Sequence, residues 1–275
     1  MLYRVILFCF LSLLTCGFAR AGSGGFSFRY ADGLIWVDVR SGASGKTLHF
    51  LLDSGAGSTI IDSDCARRLN LDLGRSETVQ SVVGRTKAWR VRNLDLTLNG
   101  HPLPGSALVV DLRAFERTLG KRIDGLIGID FFEKRAVQLN YRSGRARIFE
   151  RCAIPSGAIV VPLRSRNSIL CAKLDLNDVR SQWMRVDTGC SEALHWSGNP
   201  ARRAGSDRNT TVALKRGSVS FRDVTVQWEG RELATVRAGL HTRPFFKGED
   251  GLLGNGLLSH FCVTIDARNR RLILE

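Results

Sequence analysis

One short phrase occurs twice in this chain, and each copy places an aspartate at the end of an apolar strand. Asp53 follows Phe50–Leu52 and precedes Ser54-Gly55, and Asp187 precedes Thr188-Gly189 in the same way. A lone carboxylate at the end of a buried strand is costly to desolvate, and burial raises its pKa. The repetition predicts that the two strand ends meet, because two carboxyl groups in contact can share one proton.

A second motif follows each aspartate at a similar distance, Asp124–Gly128 in the first case and Asp250–Gly254 in the second. Its glycines allow a strand to pass close behind the aspartate loop. The same order of apolar runs surrounds both copies, so we interpret the chain as two copies of one β-rich unit. The units are assigned to residues 22–152 and 153–275, and a pseudo-twofold axis is expected between them.

The first 21 residues have the pattern of a secretory signal peptide. Arg4 precedes an apolar run from Val5 to Phe18, and Ala19-Arg20-Ala21 fits a small-x-small cleavage site. The run is shorter than the roughly 20 residues that a membrane-spanning helix needs. We therefore expect an exported protein, periplasmic or secreted, that is cleaved after Ala21. An uncleaved membrane anchor is the alternative.

Export bears on the cysteines, because an oxidising compartment permits disulfides. Cys9 and Cys16 would leave with the signal peptide, and an odd number remains, so at least one thiol stays unpaired within the chain. The pairing is left open among Cys65, Cys152, Cys171, Cys190 and Cys262. No CxxC pair occurs and the 5 histidines are scattered, so no metal site is predicted.

The chain is strongly basic, with a formal net charge of +14 at pH 7. Its lysines and arginines are spread along the sequence, and no recognition helix or aromatic platform is evident. Nucleic acid is therefore not predicted as a partner. We expect instead that the positive charge attracts the protein to anionic surfaces or acidic peptides.

Four motifs resemble those of the pepsin/retropepsin superfamily of aspartic proteases. They read LLDSGAGSTIID from Leu51, DGLIGIDFF from Asp124, RVDTGCSEALHW from Arg185 and DGLLGNGLLSHF from Asp250. Each half is most similar to the retropepsin-like unit of bacterial proteins, and the tandem arrangement resembles the bilobal pepsins. The resemblance spans nearly all of residues 27–275. It implies an all-β, bilobal acid-protease fold with two barrel-like lobes and the active site between them.

The resemblance also implies an aspartic endopeptidase that needs no cofactor and acts as a monomer on a peptide or protein in the cleft between the lobes. Asp53 and Asp187 would be the catalytic pair that activates one water. Ser54 and Thr188 would form hydrogen bonds across the lobes. The glycines after these hydroxyl residues, Gly55 and Gly189, would complete the two active-site loops.

A flap hairpin is implied after the first aspartate, and Val83-Gly84 fits its tip. Gly217 falls at the matching place in the second half. Its neighbours are charged, so whether a second flap works there is left undecided. The chain also departs from the family pattern. Gly57 is an extra glycine in the first loop, Cys190-Ser191-Glu192 alters the second, and no flap tyrosine lies near Gly84.

Two further alternatives stay open at this point. Asp-Ser and Asp-Thr favour turns in many proteins, so the chain could be a non-catalytic peptide-binding protein that retains the fold. Cys190 precedes His195 by a few residues and could form a nucleophile and base with it, although a small buried thiol or half of a disulfide also explains this cysteine.

Overall fold

The computed structural model describes residues 24–81, 84–198, 211–214 and 217–275. The predicted signal peptide and Val83 lie outside the described residues. The fold is mostly β, as expected from the sequence and consistent with an acid-protease-like fold. Within these residues, none of the helices has the length and apolar character needed to cross a membrane.

The first half contains thirteen strands and three short helices among the described residues. The strands are β1 Gly24–Ser27, β2 Arg29–Ala31, β3 Leu34–Ser41, β4 Thr47–Leu52, β5 Ile60–Asp62, β6 Ser76–Ser81, β7 Gly84–Arg92, β8 Leu96–Leu98, β9 His101–Pro102, β10 Ser106–Val110, β11 Gly125–Ile127, β12 Ala136–Asn140 and β13 Arg145–Phe149. The helices are α1 Ser63–Arg68, α2 Arg113–Leu119 and α3 Ile129–Phe132.

The described part of the second half contains ten strands and one short helix. The strands are β14 Ile159–Arg166, β15 Ile169–Leu176, β16 Val179–Val186, β17 Leu194–Ser197, β18 Thr211–Leu214, β19 Gly217–Trp228, β20 Arg231–His241, β21 Gly251–Leu253, β22 Cys262–Asp266 and β23 Arg271–Leu274. The helix is α4 Asn255–Leu258.

The strand that ends at each aspartate has the same neighbours in both halves. In the first half, β4 pairs antiparallel with β3 and parallel with β11, which brings Ile127 opposite Leu52. In the second half, β16 pairs antiparallel with β15 and parallel with β21, which brings Leu253 opposite Val186. The repeat inferred from the sequence is therefore also a repeat of strand pairing and register around the two aspartates.

Two sheets organise the described strands. A ten-stranded sheet lies wholly within the first half, in the order β6-β7-β10-β5-β11-β4-β3-β8-β9, with β2 paired to β3. A thirteen-stranded sheet takes strands from both halves, because β12 pairs antiparallel with β22 from Ala136↔Asp266 to Asn140↔Cys262. This pairing joins the halves through backbone hydrogen bonds, and the largest buried apolar cluster contains residues from both of them.

The five cysteines that follow the predicted signal peptide form no disulfide in the described structure. Cys65, Cys171 and Cys190 are buried, whereas Cys152 and Cys262 are half-buried. The buried three behave as small apolar side chains within the fold.

Candidate active site

The backbone presents the two aspartates in equivalent ways. The Asp53 amide donates to the Ile127 carbonyl at 2.9 Å, and the Asp187 amide donates to the Leu253 carbonyl at 3.0 Å. Each aspartate thus continues its strand for one hydrogen bond before the chain turns. The turn residue Gly55 then donates its amide to Asp53 Oδ1 at 2.9 Å, and Gly189 donates to Asp187 Oδ1 at the same distance.

The two hydroxyl residues after the aspartates bond to each other's loops. The Ser54 amide donates to Thr188 Oγ1 at 2.9 Å, and the Thr188 amide donates to Ser54 Oγ at 3.1 Å. Each hydroxyl donates in turn to the opposite strand end, Ser54 Oγ to Val186 O and Thr188 Oγ1 to Leu52 O, both at 2.8 Å. All four bonds are buried, so this closed set satisfies polar groups that water does not reach and holds the strand ends together.

The glycines of the two loops lie against the carboxyl groups of the opposite half. A Cβ atom at Gly55 would stand 2.3 Å from Asp187 Cγ, and one at Gly189 would stand 2.4 Å from Asp53 Cγ. Both distances are far inside van der Waals contact. The two carboxyls therefore approach each other only because neither loop carries a side chain at this position.

The Asp53 and Asp187 carboxyls form a hydrogen-bonded pair. Burial raises the pKa of Asp53 well above its usual range, and the charge of Asp187 and the bond to it raise this pKa further. Burial also raises the pKa of Asp187, but the nearby Arg185 charge, the Gly189 amide and the bond from Asp53 oppose that rise. The raised pKa values favour a state in which the two carboxyls retain one proton between them, and the Arg185 charge makes their surroundings unequal.

Residues 37–131 match a family model described as aspartyl protease. Over these residues the chain is similar to an aspartyl protease domain. The match supports the pepsin/retropepsin-like clan, which the four sequence motifs predict. It covers the first aspartate loop and the Asp124–Gly128 motif, and it ends before the second half begins. No curated protein matches the chain.

The second motif, Asp124–Gly128 and its copy Asp250–Gly254, holds the strand that leads to each aspartate. Asp124 Oδ2 accepts from the His49 amide and Asp250 Oδ2 accepts from the Trp183 amide, both at 2.8 Å. The final glycine of the motif lies against the aspartate loop, as the sequence predicts. A Cβ atom at Gly128 would stand 2.3 Å from the Ser58 carbonyl carbon.

Sequence reasoning missed a buried ion pair beside the second aspartate. Arg185 lies on β16 two residues before Asp187, and both it and Glu249 are buried. Their side chains form two bonds, Nε to Oε2 at 2.7 Å and Nη2 to Oε1 at 2.9 Å. Arg185 Nη1 also donates to the Gly55 carbonyl at 2.8 Å, and its guanidinium lies 3.6 Å from the Phe246 ring centroid. The pair therefore links the second half to the first aspartate loop.

Asn255 was also missed, although it immediately follows the second motif. Its side chain is fully buried, and Nδ2 donates to the Thr188 carbonyl at 2.7 Å and to the Gly33 carbonyl at 2.8 Å. Its Oδ1 accepts from the Tyr141 hydroxyl at 2.8 Å. A polar residue where the first half has Ile129 is the signal that could have revealed this support beneath the loop.

A hairpin occurs at the predicted flap. Strands β6 and β7 pair antiparallel up to Ser81↔Gly84, and Gly84 has a φ of 132°, a conformation that favours glycine. Val83 lies outside the described residues. In the second half, β18 and β19 pair antiparallel up to Leu214↔Gly217, and residues 215–216 lie outside the described part of the chain.

Cys190 and His195 both lie near the second aspartate, but their surroundings do not favour a thiolate nucleophile. Burial raises the pKa of Cys190 well above its usual range, and the charges of Asp187 and Glu192 raise it further. His195 directs Nε2 towards Glu192 Oε2 at 3.4 Å and Nδ1 towards His241 Nε2 at 2.8 Å. The thiol is therefore held in its neutral form.

Proposed function

We propose that the chain is an exported aspartic endopeptidase that hydrolyses peptide bonds with a water activated between Asp53 and Asp187. The observation that carries the proposal is that reciprocal bonds between the two loops bring the Asp53 and Asp187 carboxyls together, where both have a raised pKa. A pair that keeps one proton offers an acid and a base at the same point, as hydrolysis of an amide requires. The family match of residues 37–131 supports hydrolysis as the class of reaction.

The unequal surroundings of the two carboxyls suggest which one begins as the base. The Asp187 carboxylate, stabilised by the nearby Arg185 charge, takes a proton from the water as it attacks the peptide carbonyl. Asp53 donates its proton to the carbonyl oxygen as the tetrahedral intermediate forms. Asp187 then gives its proton to the amide nitrogen and the C–N bond breaks, while Asp53 takes a proton from a hydroxyl of the intermediate, so that the two carboxyls again share one proton.

The same proposal assigns the architecture around the pair. Residues 22–152 and 153–275 form two barrel-like lobes, and the substrate lies extended in the cleft between them. Val83-Gly84 forms the tip of a flap over this cleft, with Ser54, Gly55, Thr188 and Gly189 as the active-site loops. The protein acts as a monomer after removal of residues 1–21, and its basic charge attracts it to anionic surfaces.

The direct test is turnover of an unfolded protein by the purified chain and by two single variants. Asp53→Asn and Asp187→Asn preserve the size of each side chain but remove one ionisable carboxyl. Because the pair acts as a unit, each variant should lower kcat by about 10⁴-fold or more. Asp38→Asn is the matched control, since Asp38 is exposed and pairs only with His49 among the contacts of the described structure.

The control should cleave at the rate of the parent chain across acidic and neutral pH. Full activity in either active-site variant would contradict a two-carboxylate mechanism. Binding of an unfolded peptide without turnover over the whole pH range would instead indicate a peptide-binding protein that retains the fold.

A further inference from the structure

Three potential metal ligands meet on the chain segment that follows the second aspartate loop. Cys190 Sγ lies 3.8 Å from Glu192 Oε2, and His195 Nε2 lies 3.4 Å from the same oxygen. The three ligand atoms all lie within 4.8 Å of one another. Cys190 is held at the end of the Asp187-Thr188-Gly189 turn, and His195 lies on β17.

These separations are close to those of a tetrahedral zinc site. With Zn–S near 2.3 Å and Zn–N or Zn–O near 2.0–2.1 Å, ligand atoms at tetrahedral angles stand about 3.3–3.6 Å apart. Small movements of the Cys190 and Glu192 side chains would close the remaining difference. Glu192 is the exposed member, with half of its side chain accessible to solvent, so it has room to adjust.

A second and independent feature is the orientation of the His195 ring. Its Nδ1 is hydrogen-bonded to His241 Nε2 at 2.8 Å, and Phe245 packs edge-on against it with a centroid distance of 6.0 Å. A histidine that binds metal commonly uses its second ring nitrogen for a hydrogen bond that fixes the ring and the tautomer. With Nδ1 engaged by His241, Nε2 is the nitrogen that faces Cys190 and Glu192.

We propose that Cys190, Glu192 and His195 form a zinc site, with His241 as the residue that orients His195. A thiolate, an imidazole and a carboxylate suit zinc rather than magnesium or calcium, which prefer oxygen ligands alone. Coordination releases the Cys190 thiol proton to solvent, and water fills the fourth position.

The site would fasten the second aspartate loop. The Cys190 amide donates to the Asp187 carbonyl at 3.2 Å, and the Cys190 carbonyl accepts from the Asn255 amide at 2.9 Å. An ion that binds Cys190 and His195 together would connect this loop to β17. Zinc should therefore raise the melting temperature of the protein, because a ligand that binds only the folded state stabilises it. This effect is independent of proteolysis.

The test measures binding of Zn²⁺ alone to the metal-free chain, by equilibrium dialysis, and the absorption spectrum after addition of Co²⁺. We expect one zinc per chain, a rise in melting temperature, and a near-ultraviolet thiolate-to-cobalt band. Cys190→Ser should abolish the band and weaken zinc binding at least tenfold. His195→Gln is the second variant, which keeps the proposal testable if the cysteine variant fails to fold.

His241→Leu separates orientation from ligation. It should weaken zinc binding by about 10- to 100-fold while the thiolate band persists at saturating Co²⁺. The matched controls, Cys262→Ser and His49→Gln, change the same residue types elsewhere and should bind zinc like the parent chain. The proposal would be overturned if the parent chain did not bind zinc, or if Cys190→Ser and His195→Gln bound zinc as tightly as the parent chain.

Discussion

The two aspartate loops share one backbone plan but differ in what lies behind them. Two residues before Asp53 the chain has Leu51, and the residue before Asp124 is Ile123. Both are buried in the same apolar cluster of the first half. The equivalent positions in the second half are Arg185 and Glu249, which form the buried ion pair beside Asp187.

This difference shows that the repeat is symmetric in structure and asymmetric in electrostatics. A buried ion pair is often no more stabilising than a pair of apolar residues of similar volume. The first half indeed fills the same places with leucine and isoleucine. The charge of Arg185 therefore matters chiefly because it lowers the pKa of Asp187 relative to that of Asp53. In this account it makes Asp187 the base and Asp53 the acid.

Within this comparison, the largest expected effect comes from adding a side chain at the glycine that the two loops have in common. Gly55→Ala and Gly189→Ala each place a Cβ atom inside contact distance of the opposite carboxyl. Displacement of a reacting group by about 1 Å costs on the order of 10²-fold in rate, so kcat should fall at least that far in both variants. Gly105→Ala is the control, because a Cβ atom there meets nothing within 4 Å. Parental rates in both loop variants would show that the carboxyls need not touch.

A smaller effect is expected from the hydroxyls that join the loops. Ser54→Ala and Thr188→Ala each leave a buried amide of the opposite loop without its acceptor. The cost should be about 1–3 kcal/mol of unfolding free energy in each case, measured by urea denaturation. Thr188→Ser keeps the hydroxyl and serves as the matched control. Unequal losses in the two alanine variants would indicate that the reciprocal bonds are not equivalent in energy.

The smallest expected effect is a shift in the pH dependence of kcat/KM. It tests the difference in buried charge between the two halves. The double variant Arg185→Leu/Glu249→Ile gives the second half the residues of the first. Arg185 lowers the pKa of Asp187, so its removal raises that pKa, and the carboxylate is then lost at a higher pH during acidification. The acid limb of kcat/KM should move to higher pH, by about one unit. Glu249→Gln alone is the control that keeps the guanidinium charge.

A profile that does not move in the double variant would show that Arg185 has no influence on the carboxyl pair. Because the two apolar residues replace both charges together, the variant should fold with a stability close to that of the parent chain. Circular dichroism and a thermal melt would confirm this before the kinetics are compared.

The site residues that occur in both halves could be predicted from the sequence, whereas those that occur in only one half were missed. Asp53 and Asp187, their hydroxyl and glycine neighbours, and the glycine-rich strands behind them follow a pattern that can be recognised twice. The pairing of β12 with β22 could not be read in this way, because an alternating apolar pattern does not specify which distant strand is the partner. The mostly β character of the chain was predictable from its short apolar runs and turns.

The missed residues of the site are those that differ between the halves. Arg185 and Glu249 stand where the repeat would call for apolar residues, and Asn255 stands where the first half has Ile129. Each is a polar side chain at a position that the pattern predicts to be buried. Such a position indicates a buried partner, but the partner's identity depends on tertiary contacts that the sequence does not display.

The most direct test of the unequal pair is a ¹³C NMR titration of the Asp53 and Asp187 side-chain carboxyls, assigned with the two asparagine variants. The account predicts two coupled steps, with one proton retained at pH values where ordinary aspartates have lost theirs, and with that proton residing mainly on Asp53. Independent titration of both carboxyls in the usual range of an aspartate would contradict it.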